Sequence, residues 1–122
     1  VPGIEIVPRP DQGSLPAEGF GRRRVFETET VRVGETRVAP GASSPWHHHG
    51  TRTLYGFVAA GQLTLEFGPG GRDEACPSAG EFFRIPPGLI HRDVNHGRIE
   101  AAIVNVILGE GPATINVDGP EA

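Results

Sequence analysis

From Val25 onward, apolar and polar residues alternate in short bursts with a period of two. The clearest case is Leu63, Leu65 and Phe67, which interleave with Gln62, Thr64 and Glu66. Such alternation marks half-buried β-strands, because successive side chains leave opposite faces. The pattern predicts strands at Val31 and Val33 and again at 36–39, with a break at Gly34-Glu35. Further strands are predicted at 53–60, 63–67, 81–85, 90–95, 100–108 and 113–117. Pro40-Gly41, Gly61, Gly68-Pro69-Gly70-Gly71 and Pro86-Pro87-Gly88 punctuate them as turns. No run of ten or more residues carries a 3.6-residue period. Many short strands with regular turn signals indicate an all-β sandwich or barrel.

The two ends read differently. Residues 1–20 form an N-terminal extended arm in which Ile4 and Ile6, around Glu5, allow a short edge strand, followed by a turn-rich Asp11-Gln12-Gly13-Ser14-Leu15-Pro16. Residues 21–122 form a single barrel domain, which a 122-residue chain can fill without staples. Arg22, Arg23 and Arg24 read as a solvated charge run. The 18 Gly and 12 Pro fit an architecture of tight turns. A net charge of -4 argues against nucleic acid or an anionic membrane as partner. All 11 basic residues are Arg, so lysine Schiff-base chemistry is excluded. One cysteine, Cys76, excludes an internal disulfide and a cysteine-rich zinc site. It sits in a turn-like Glu-Ala-Cys-Pro with no neighbour to activate it. No apolar stretch approaches the roughly 18 residues of a membrane span, and the start does not read as a signal peptide. The absence of Met at position 1 suggests processing, and a cytoplasmic location is the expectation.

All five histidines fall between His47 and His96. On a strand, His47 and His49 share a face while His48 points away. Two imidazoles so spaced can bind one metal ion. A third ligand must come from elsewhere, and His91, just after the rigid Pro86-Pro87-Gly88 corner, is the candidate. The alternative is an exposed polar patch. His96, beside Gly97, reads as a turn residue.

These residues also carry a family resemblance. Gly41, His47, His49 and Gly61 resemble the first motif of the cupin family, and Gly80, Pro86, Pro87, Gly88, His91 and Asn95 resemble the second. The resemblance covers residues 36–108 and implies a small jelly-roll barrel, often dimeric, with a metal in its mouth. A homodimer is therefore expected, and exposed sheet edges offer a route to it. The sequence departs from the family at one point. The first motif normally adds a Glu ligand, and that position is Leu54 here, beside Thr53. The implied site is His47, His49 and His91 without a carboxylate.

Three neutral ligands leave the ion's charge uncompensated, which favours anionic ligands. The resemblance implies one divalent ion. Fe(II) is favoured, with Zn, Mn, Ni or Cu as alternatives, by likeness to three-histidine cupin dioxygenases. The expected reaction is oxidation of a small anionic organic substrate with O₂. The competing expectations are Lewis-acid chemistry and a binding module without chemistry. Strand parity turns Leu54, Gly56 and Val58 inward, and Gly56 would widen the cavity beside the ion. Asp93, with the parity of His91, is either a proton acceptor in the site or a rim carboxylate paired with Arg92 or Arg98. Arg52 and Arg84 are candidate clamps for a substrate carboxylate, against an exposed role for each. Asn105 interrupts an apolar strand and could face the cavity. Trp46 is expected to pack at the barrel mouth, with Tyr55 in the opposite layer.

Overall fold

The computed structural model describes residues 3–10 and 13–122. Its strands are β1 (Phe20–Glu27), β2 (Val31–Val38), β3 (His47–His48), β4 (Thr53–Ala60), β5 (Thr64–Phe67), β6 (Asp73–Ala75), β7 (Phe82–Ile85), β8 (His91–Val94), β9 (Ala101–Leu108) and β10 (Ile115–Asn116). One sheet runs β1-β2-β9-β4-β7 and the other β10-β3-β8-β5-β6. Every pairing between these strands is antiparallel. This is the all-β jelly-roll architecture that the alternation and the motifs predict. No helix among the described residues is long and apolar enough to cross a membrane.

The inner face of the first sheet is built in rows that cross the strands. One row joins Arg22 on β1 to Thr36 on β2, Ile103 on β9 and Val58 on β4. The next joins Arg24, Gly34, Asn105, Gly56 and Phe83. A third joins Leu54 to Ile107 and Ile85. Against these rows the second sheet sets Leu65, with Leu63 just before β5, closing a core that also holds Phe20 and Val38. Burying these side chains is the main term that closes the sandwich, at roughly 1.5–3 kcal/mol each.

Three expectations need correction. First, β2 is unbroken at Gly34-Glu35, because β1 and β9 hold both of its edges. Gly34 is there for room: a Cβ would meet the Arg23 carbonyl oxygen at 3.0 Å. Second, residues 3–10 contain no strand, and Ile4 and Ile6 are 96% and 84% exposed. Pro8 and Pro10 offer no N–H to a ladder, and the arm touches the barrel through the Pro8 carbonyl, which accepts from Arg23. The Asp11-Gln12 start of the expected turn lies outside the described residues. Third, the arginine run, solvated at Arg22 and Arg24, is part of a strand that the alternation did not reveal. It lies inside β1, which begins with the core residue Phe20.

Candidate metal centre

Local chemistry explains where the three imidazoles sit. The Pro86-Pro87-Gly88 corner, with Gly88 at φ 74°, delivers the chain into β8 at His91. His91 lies directly opposite His47 in the β3–β8 register. His49 follows two residues on and shares the inward face of His47. All three are buried, and their ligand atoms lie within 4.8 Å of one another. Ring centroids are 4.3 Å apart for His47 and His91, 5.1 Å for His49 and His91, and 5.3 Å for His47 and His49.

The tautomer of each ring follows from its outer partner. His47 Nδ1 lies 2.8 Å from the Pro45 carbonyl oxygen, His91 Nδ1 2.9 Å from that of Leu89, and His49 Nδ1 2.8 Å from that of Ala113. A carbonyl oxygen only accepts, so each Nδ1 must carry the hydrogen and donate it. Each Nε2 is left with a lone pair, and the buried Nε2 of His49 has no hydrogen-bond partner. Burial, opposed in part by the Ala113 carbonyl, pushes the His49 imidazole down to about 4. Burial and then the neighbouring His47 push His91 down to about 4 as well. Both rings are therefore neutral at pH 7. Three imidazoles with their ligand atoms gathered within 4.8 Å fit a divalent transition metal.

Asp93 projects from β8 on the side of His91. Its Oδ1 is 3.9 Å from His91 Nε2, buried and without a hydrogen-bond partner, while the side chain keeps 23% exposure through the cavity mouth. Burial pushes this carboxyl up, against the pull of His47, His49 and Arg22. The expected rim pairing with Arg92 is not found, since Arg92 pairs with Glu66. Asp93 nevertheless stands outside the tight cluster, which contains the three imidazoles alone.

The cluster opens onto a cavity of about 990 Å³ between the sheets. Leu54 and Asn105 line it, and Asn105 donates to Thr36 Oγ1 at 3.0 Å. Gly56 does not widen it, because a Cβ there would overlap the Phe83 ring, which takes up that space and itself lines the cavity. Arg52 is not a clamp. It is buried, and its guanidinium donates to the carbonyls of Gly111 and Glu29, away from the cavity. Arg84 is exposed on the outer face, opposite Tyr55 in the β4–β7 register. His48 is half-buried, its Nδ1 accepting from the Gly50 N–H, and His96 is exposed near Glu66. Trp46 stacks against Arg92.

Sequence reasoning missed Arg22 and Arg24, which line the cavity from β1. The available signal was parity: both share the inward face of Phe20. It also missed what Asn95 does. This side chain is completely buried and donates to the carbonyls of Val38 and Ile99 while accepting from Gly97 N–H. It ties the end of β8 to the other sheet.

The cupin domain family model matches residues 34–107. Oxalate oxidase GF-3.8 of Triticum aestivum is 35% identical over 98 residues, which are 74% of this chain and 43% of that protein. The rhicadhesin receptor of Pisum sativum is 31% identical over 109 residues, 86% of this chain and 50% of its own length. The chain thus spans about half the length of the curated relatives it matches. A solved oxalate oxidase in complex with the substrate analogue glycolate aligns at TM-score 0.69 and 28% identity, over 84% of this chain and 57% of that one. A Cupin 2 conserved barrel domain protein from Salinispora arenicola shares the fold, at TM-score 0.71 and 23% identity over 88% and 90% of the two chains.

Proposed function

This chain belongs to the cupin domain family, and from that membership we propose a metal-dependent oxidoreductase that acts on a small carboxylic acid. Its ion would be held by His47, His49 and His91. The gathering of three buried imidazoles at a cavity, with their ligand atoms within 4.8 Å of one another, carries this function. Likeness to oxalate oxidases supports oxidation of an acid over hydrolysis or isomerisation.

A bound divalent ion, Fe(II) or Mn(II) in this proposal, would supply redox chemistry and a positive charge to receive a carboxylate. The protein's own groups do the rest. Carbonyls of Pro45, Leu89 and Ala113 fix the imidazoles before any ion arrives, so ordering them costs little on binding. Neutral imidazoles add no negative charge, so an acid anion is attracted rather than repelled. Leu54, Phe83, Ile103 and Ile107 make one apolar wall that limits water at the site. Asp93 Oδ1, unpartnered beside His91, is placed to accept a hydrogen bond from a hydroxyl group of the substrate.

The test uses protein purified without chelators or a nickel column. Elemental analysis should find close to one Fe or Mn per chain. O₂ consumption should follow addition of oxalate, glycolate or a longer acid, and should vanish in His91→Ala. Turnover without O₂ loss, or a wild-type protein that retains no ion, would overturn the proposal.

A further inference from the structure

Four arginines line the cavity: Arg22, Arg23, Arg24 and Arg32. Three have acidic partners. Arg23 pairs with Glu35, and Arg24 and Arg32 share Glu27 at 3.0 and 2.8 Å. The exposed side chain of Arg22 makes no ion pair or hydrogen bond among the described residues. Its guanidinium instead lies over the Phe20 ring, with Cζ 4.9 Å from the centroid. Stacking of this kind holds the plane of the group and leaves its edge N–H donors free. Strand register places Arg22 in the inner row with Thr36 and Ile103, across the cavity from β3 and β8. Its charge is felt at Asp93 on that opposite side. The intervening wall is apolar, with Leu54, Phe83, Ile103 and Ile107.

Resting on the function proposed above, we infer that Arg22 receives a second carboxylate of the substrate, which is then a dicarboxylic acid with an apolar middle, longer than oxalate. One acidic end would lie at the histidine cluster and the other at Arg22, with the carbon chain along Ile103 and Phe83. The size of the cavity, about 990 Å³, is at the upper end for small-molecule sites and exceeds what a two-carbon acid fills. A free guanidinium matches a carboxylate bidentately. The neighbouring arginines, already neutralised, gain less from an incoming anion.

The experiment is calorimetric titration of the Mn(II)-loaded full chain with adipate, hexanoate and oxalate. Adipate should bind about tenfold or more tightly than hexanoate, the gain expected of one charge-assisted pair. In Arg22→Gln that preference should disappear, with hexanoate affinity and metal content unchanged, and in Arg24→Gln it should persist. Equal affinity for adipate and hexanoate in the wild type, or an undiminished preference in Arg22→Gln, would overturn the role of Arg22 and leave the acid-oxidising function standing. A metal-loaded protein that binds none of the three acids would overturn both.

Discussion

The imidazoles of β3 and β8 and the arginines of β1 and β2 face one cavity but are held in opposite ways. The imidazoles are short and buried, and each has its outer nitrogen tied to a backbone carbonyl. The arginines are long and permanently charged, and three of the four are balanced by glutamates on their own two strands. One wall is rigid before anything binds. The other can adjust, because rotamers of long exposed side chains are cheap to change. A site that must hold an ion in fixed geometry while accepting an organic acid uses both kinds of wall.

The largest effect expected on this contrast comes from His91→Ala. It should lower metal affinity more than about a hundredfold, beyond the loss typical of removing a group that only orients a ligand. Elemental analysis after dialysis would read it, with His48→Ala retaining the ion. Retained stoichiometry in His91→Ala would mean the rigid wall is not the ion's support. Next is Asn95→Ala, which strips a donor from the carbonyls of Val38 and Ile99 and should cost about 3 kcal/mol, read as a lower urea midpoint.

Between pH 6.5 and 5.5, acid should act on the histidine wall and leave the arginines charged. His49 and His91 titrate near 4 in the fold against an ordinary value of 6.5. Between those values the unfolded chain binds protons that the folded one refuses, so stability is fully present above 6.5 and falls as the pH drops towards 4. From pH 6.5 to 5.5 the ion-free protein should lose about 1 kcal/mol for each imidazole. Urea melts at the two pH values would show it, and an unchanged midpoint would contradict the buried neutral state. The smallest effect belongs to the arginine wall. Arg24→Gln should change stability by no more than about 0.5 kcal/mol and leave metal content alone.

The same contrast explains which features could be read from residue order. Alternation marks β4, whose buried positions at Leu54, Gly56 and Val58 alternate with outward ones, and an apolar run rich in Ile and Val marks the central β9. The pairing of His47 with His49 also follows from a two-residue period, and the corner before His91 from its Pro-Pro-Gly. The cross-strand partner of His47 does not, because register between distant segments is settled by the whole sandwich. The inward arginines were missed for a different reason. Polarity normally marks the solvent side, but here the inside of the barrel is wet at one end, so Arg22 and Arg24 follow Phe20 inward without penalty. Arg52 deceives in the opposite sense. A lone arginine beside a metal motif suggests substrate recognition, yet its donors are consumed by two backbone carbonyls. Gly56 suggests empty space, and Phe83 from the adjacent strand occupies it.

The Arg52 guanidinium grips the carbonyl of Gly111, two residues before the Ala113 carbonyl that receives His49 Nδ1. Which nitrogen of His49 stays protonated therefore depends on the chain's final stretch and on how it is hung. Anyone trimming this protein to its two sequence motifs would keep every ligand and still let one of them turn over.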